Sequence, residues 1–392
     1  VSQSAPAQTK LWSPAEFTVI KHIPKSARPA CASHLAGILR AVVARPEDAA
    51  NWTSLFNWTG LILQPPKRGG KRHNVTNVIK KRLSDFKPTA APQVKSFDSS
   101  GRRAPSPGTL LSQAVASKLE DGNLRAAIRL LCSDDTPTRP SLENLSKLQQ
   151  KHPVASLGVG SLPDPSQYTA VSLEEADIRK AVLSFPAGSS GGPDGLRPQH
   201  LKDLLQCPQS GPDFLTALTA FVNLVLAGRC PADVAPTFFG GRLIALNKKS
   251  GGIRPIAVGF TLRRLTSKCA NTHVTARMAT YFSPTQLGVS VPGGCEAAVH
   301  SARRFLENLP ADHVMVKLDF SNAFNCLHRF DMLKFIAERA PELFPYCHSS
   351  YANPSVLHFG QYHILSQEGP QQGDPLGPLL FCNTIHPLLT SL

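Results

Sequence analysis

The segment from Val314 to Asn325, Val-Met-Val-Lys-Leu-Asp-Phe-Ser-Asn-Ala-Phe-Asn, constrains this chain more than any other. Val314, Met315, Val316 and Leu318 form an apolar run that reads as a buried strand, and it ends on a single acid, Asp319, followed by a turn-forming Ser-Asn pair. An acid at the exposed end of a buried strand is well placed to hold a divalent cation. The strand fixes the backbone, and the turn leaves the carboxylate in water beside whatever the ion must bridge. Taken alone, Asp319 reads equally well as a helix cap. Three other segments with matching chemistry give it weight.

One is Ser189-Ser-Gly-Gly-Pro-Asp-Gly-Leu-Arg-Pro-Gln-His-Leu201, a glycine-rich loop before a helix predicted at Pro198–Leu205. It is not a phosphate-binding P-loop, because no Gly-Lys-Ser/Thr follows. Another is Arg242 to Val258, where apolar residues flank Ser250-Gly251-Gly252 as in a β-hairpin with a glycine turn. Lys248, Lys249 and Arg254 lie at or near its tip, a placement suited to gripping a triphosphate, Arg by bidentate contact and Lys as a point charge. The last is Gln367 to Phe381, a Gly-rich loop leading into a helix predicted at Pro375–Leu389. There Gly373 allows close backbone approach to a ligand, and Gln372 offers both a donor and an acceptor.

Charge is unevenly spread. Residues 1–103 hold 17 Lys and Arg against 5 Asp and Glu, a balance of +12 out of the +15 for all 392 residues. Lys67, Arg68, Lys71 and Arg72, then Lys80, Lys81 and Arg82, cluster there and point to a polyanion such as nucleic acid. The nine cysteines include no Cys-x-x-Cys, which reads as reduced thiols in an intracellular setting, the nucleus included. No apolar run reaches the roughly 20 residues needed to cross a bilayer, so no membrane role is expected. Nothing in the sequence indicates an oligomeric state. The first residue is Val1 rather than Met, as in a fragment or a processed product.

Helical periodicity marks Cys31–Ala44, Val75–Leu83 and several short stretches between Thr109 and Gln150, and Asn51–Leu63 reads as a further helix or a buried turn. A further helix at Leu173–Phe185 opens with Ser172 three residues before Glu175, a capping-box pattern. Helices are also predicted at Leu262–Tyr281, Gly294–Asn308 and Ala323–Arg339, and a short hairpin at Ser355–Phe359 and Tyr362–Ser366. Three regions result: a basic helical region at 1–105 with flexible ends, a helical connector at 106–168, and a motif-dense region at 169–392.

Ile253-Arg-Pro-Ile256, Leu318-Asp-Phe-Ser-Asn-Ala-Phe-Asn325 and Gln371-Gln-Gly-Asp-Pro-Leu-Gly-Pro-Leu-Leu380 follow the order of fingers, motif A and motif B in reverse transcriptases. Their wording resembles non-long-terminal-repeat retrotransposon enzymes, and Gly192-Pro-Asp-Gly-Leu196 is similar to the segment that opens the domain there. The resemblance covers about residues 170–392. It implies an α+β right-hand polymerase arrangement, with fingers and a partial palm preceded by the helical basic region.

By the same resemblance Asp319, with the Phe320 carbonyl, would hold catalytic Mg²⁺ for two-metal nucleotidyl transfer. Phe324 would exclude a ribose 2′-hydroxyl, and Arg254 with Lys248 or Lys249 would hold the triphosphate. Gln372 and Gly373 would line the nascent base pair; the partners would be an RNA template, a DNA primer and a dNTP. The family's second acid motif, an aromatic-x-Asp-Asp hairpin, is expected beyond motif B and is not found in the 392 residues. The chain therefore reads as a fragment unable to turn over by itself, with an exposed, aggregation-prone sheet edge beside the Asp319 strand. The other reading is a remnant that binds nucleic acid and does no chemistry. The single Asp-Asp pair, Asp134-Asp135, lies far upstream among helical patterning and reads as a helix end with a turn.

Overall fold

The computed structural model describes residues 12, 17–66, 74–90, 107–133, 135–156, 161–249 and 251–391. In the N-terminal part the helices are α1 (Arg28–Ala44), α2 (Ala49–Ile62) and α3 (Val75–Ser84). Next come α4 (Pro107–Glu120), α5 (Leu124–Cys132), the two-residue strand β1 (Thr136–Pro137) and α6 (Leu142–Gln150). Helices α7 (Glu175–Leu183), α8 (Pro198–Leu205), α9 (Gly211–Leu226) and α10 (Ala235–Phe238) lead into a hairpin, β2 (Gly241–Asn247) and β3 (Ile253–Gly259). The remainder is α11 (Thr261–Phe282), α12 (Gly294–Glu307), α13 (Arg329–Arg339), α14 (Phe344–Tyr351), β4 (Ser355–Phe359), β5 (Tyr362–Ser366) and α15 (Gly377–Thr390).

All five described strands make one mixed sheet. β2 and β3 pair antiparallel along their whole length, from Gly241↔Gly259 to Asn247↔Ile253. The other edge of β2 is shared. β4 joins it in parallel at Gly241 and Arg242, and β1 joins it antiparallel at Leu246 and Asn247. Leu148 of α6 packs with Leu243, Ala245, Ile253 and Ala257, so α6 covers one face of the hairpin. Period-2 alternation then puts Arg254 and Ile256 on the opposite face.

Helices α1 to α3, α7 to α11 and α13 to α15 share one apolar core that runs from Ile23 through Leu380. Trp52 of α2 packs against Phe221 of α9 and Phe238 of α10, with ring centroids 5.6 and 5.2 Å apart. The chain before α1 is pinned to α8. The Asp203 carboxylate accepts from the Ile23 amide and from Arg28, each at 2.8 Å. Residues from 1–105 and from 169–392 are thus packed together in the same core. Apolar α9 is a buried core helix, and no described helix is long and apolar enough to cross a membrane.

Three expectations are corrected. Val314–Asp319 has no regular secondary structure and is not a strand: no described strand pairs with it, and Val314 and Leu318 are 82% and 71% exposed. Its alternation of apolar residues satisfies a strand's side chains, yet a strand exists only as half of a hydrogen-bonded ladder. The expected sheet edge beside Asp319 is accordingly not formed by this segment. The helix expected from Ala323 starts at Arg329, because Asn322 takes a left-handed φ of 55° and residues 321–327 make a turn. Helix α7 is capped by Glu174 with Asp177, not by Ser172 with Glu175.

Candidate nucleotide-binding cleft

The β2–β3 turn is built by Gly251 and Gly252, both at φ 83°, and closed by hydrogen bonds between Lys248 and Gly251 or Gly252. Lys248 and Lys249 are exposed there. Arg254 pairs with Leu246 across the hairpin, and its guanidinium meets the Asp135 carboxylate at 3.0 Å.

A second wall is the loop before α15, which is held by buried polar contacts. Gln371 donates to the Phe239 carbonyl at 2.9 Å and to Ser355 at 2.8 Å, and accepts from Arg263. Asp374 pairs with Arg263 at 3.2 Å, accepts from Tyr351, and accepts from the Leu376 amide at 3.0 Å. Such an ion pair is costly to bury, and these neighbours offset part of that cost, although the buried Arg263 Nε has no hydrogen-bond partner. The loop is thereby pressed against β3, where the Ala257 amide donates to the Gln372 carbonyl at 2.7 Å.

The turn after Asp319 forms the third side. The side-chain amides of Asn322 and Asn325 both donate to the Lys151 carbonyl at 2.9 Å, just beyond α6. Glu368 anchors the turn's far end, accepting from the Arg329 amide at 2.7 Å and from the amide and hydroxyl of Ser156 at 2.7 and 2.6 Å. Burial by itself would raise the Glu368 carboxyl, but the Ser156 and Arg329 hydrogen bonds more than reverse this and hold it below the usual range. Phe324 emerges from the turn and stacks on Phe381 of α15, with centroids 5.3 Å apart and planes 8° from parallel.

Between these walls lies a cleft of about 400 Å³. Arg254 and Ile256 line it from β3, Phe324 from the turn, Gln372 to Pro375 from the loop, and Pro378 from α15. Four of the residues singled out from sequence, Arg254, Phe324, Gln372 and Gly373, therefore meet around one space. Residues 246–392 match the family model for reverse transcriptase (RNA-dependent DNA polymerase). No curated protein matches the chain.

The other sequence-predicted residues do not line this cleft. Asp319 and Phe320 are exposed on the irregular segment before the turn, and Lys248 and Lys249 stay at the hairpin tip. Lys80 and Lys81 are exposed on α3. Arg82 instead donates to the Ile62 and Gln64 carbonyls at the end of α2, and burial lowers its pKa. Lys67, Arg68, Lys71 and Arg72 lie outside the described residues.

Ile256 could have been found by counting two residues from Arg254. Arg263, Tyr351 and Lys151 carry no local signal, since each acts through a contact made only in the folded chain. Among the described residues no three His, Cys, Asp or Glu side chains come together to hold a metal ion. Asp319 and the Phe320 carbonyl alone do not fit a Mg²⁺ site, which needs about six oxygen ligands in near-octahedral array.

Proposed function

We propose that this chain carries the nucleotide-binding cleft of an RNA-directed DNA polymerase of the non-long-terminal-repeat retrotransposon kind. The observation that carries the reading is the meeting of Arg254, Phe324, Gln372 and Gly373, from three separated motifs, around one cleft. Hairpin β2–β3 serves as fingers and β4–β5 as part of a palm. The helical region before residue 169 serves as an N-terminal extension, and its first part, α1 to α3, shares the common core. Arg254 takes the phosphates of an incoming dNTP, a planar fork meeting tetrahedral oxygens. Phe324, held against Phe381, faces the sugar, and Gln372 faces the base pair. Lys80 and Lys81, with Lys67, Arg68, Lys71 and Arg72, track the backbone of an RNA template and DNA primer inside the cell.

Among the described residues no three His, Cys, Asp or Glu side chains gather at Asp319 to hold a metal ion. The function assigned to these residues is binding of nucleotide and nucleic acid. That reading also accommodates a retroelement remnant that binds nucleic acid without turnover.

Displacement of a fluorescent deoxyribonucleoside triphosphate by dATP and by ATP tests the reading. The native chain is expected to prefer dATP by about tenfold, the equivalent of ~1.4 kcal/mol. Phe324→Ala is expected to bring the ratio close to one while leaving dATP binding in place. An unchanged ratio in that variant removes the sugar-gate role, and a native chain that binds neither nucleotide removes the cleft assignment.

A further inference from the structure

We infer that Asp135 is a resident anion on the phosphate-gripping arginine, a carboxylate that an incoming polyphosphate must displace before Arg254 can bind it. The inference rests on the cleft reading above and adds to it a residue more than a hundred positions upstream.

The contact is direct, with Asp135 Oδ2 3.0 Å from Arg254 Nη1. It is also delivered by backbone, which distinguishes it from an incidental surface pair. Immediately after Asp135 the chain becomes β1, pairing Thr136 with Asn247 and Pro137 with Leu246. Leu246 is the residue that faces Arg254 across the hairpin. The Thr138 amide extends this register, donating to the Ala245 carbonyl at 2.8 Å. On the other side the Asp135 amide donates to the Ser133 hydroxyl at 3.2 Å. The carboxylate is therefore fixed one residue before the strand that closes the open part of the β2 edge.

Exposure decides how firmly the anion sits. The Arg254 side chain is 48% exposed and that of Asp135 22%, so water screens the pair and it is weak. A single carboxylate in such a place is a placeholder. It satisfies the guanidinium in the empty cleft, and it yields to a ligand that brings several negative charges and a second contact. Arg254 also lines the cleft, so the exchange happens where the ligand's phosphates arrive. The contact reduces the affinity of every anion that needs Arg254, which leaves weak, singly charged anions unbound.

The test is calorimetric titration of inorganic tripolyphosphate into the native chain, Asp135→Asn, Arg254→Ala and the double variant, at two ionic strengths. Asn preserves size and removes the charge. Asp135→Asn is expected to bind tripolyphosphate about two- to fivefold tighter, the range of an exposed ion pair. The gain is expected to shrink at the higher salt concentration and to vanish in the Arg254→Ala background. A gain that persists without Arg254 overturns the inference, because it reports only the removal of a nearby negative charge. An unchanged or weaker affinity in Asp135→Asn, with native binding still dependent on Arg254, overturns the inference and leaves the cleft reading standing. Absence of binding in all four proteins overturns both.

Discussion

Gly373 occupies a position that only glycine can hold. Its φ is 127°, and a Cβ there would lie 2.2 Å from the Ala257 carbonyl oxygen, a backbone atom with no freedom to withdraw. The approach that forbids a side chain is the one that lets the Ala257 amide reach the Gln372 carbonyl. Gly373→Ala is therefore expected to cost at least about 2 kcal/mol. It should also separate the loop from β3, and denaturant unfolding with nucleotide displacement measures both effects. Unchanged stability would mean that the loop does not rest on β3. At this scale the sequence was informative, because Gln372 and Gly373 stand out as a donor–acceptor side chain beside a conformationally free backbone. The partners that hold them were not legible. Nothing near Arg263 in sequence announces that its guanidinium will be buried against Asp374, 111 residues away.

Elements were legible where the signal is local and lost where it depends on a distant partner. The hairpins β2–β3 and β4–β5 follow from alternation around glycine-containing turns, and α8 follows from Pro198 at its first position. Val314–Leu318 has the same alternation and is no strand, since pairing is a property of two segments. The turn that follows is set from outside as well, by the Lys151 carbonyl between the Asn322 and Asn325 amides. Asn325→Ala removes one of those donors and is expected to cost ~1 kcal/mol. Amide hydrogen exchange should then rise across residues 319–327 while the helices of the core keep their protection. Equal exchange in the two proteins would show that the Lys151 carbonyl does not hold the turn.

Over the whole molecule, the shared core places two buried titrating groups near one another in sequence with opposite effects on stability. Burial pushes the Asp194 carboxyl up to about 7 from 3.8, so its contribution is complete below 3.8 and is lost as pH rises through 7. Burial pushes His200 down to about 4 from 6.5, so its contribution is complete above 6.5 and is lost as pH falls through 4. The neutral His200 ring accepts from the Arg197 amide and donates to the Ile20 carbonyl. Between about 4 and 6.5 the two slopes oppose. Asp194→Asn keeps the acceptor for the Leu196 amide and removes one slope. Its stability is expected to rise with pH over that window more steeply than that of the native chain. Urea unfolding at pH 5 and at pH 7 checks this, and identical pH dependence would show that Asp194 is not a buried neutral acid. Neither group was legible in the sequence, where Asp194 sits in a glycine loop and His200 in an amphipathic helix. The sheet adds a mechanical consequence. The parallel join of β2 to β4 spans only Gly241 and Arg242, whereas Lys248 stands six residues further along the hairpin. Between them β1 ties the same strand at Leu246 and Asn247, so the hairpin is fastened near both ends, like a plank nailed at root and tip, and its cation-bearing turn is carried by two separate joins.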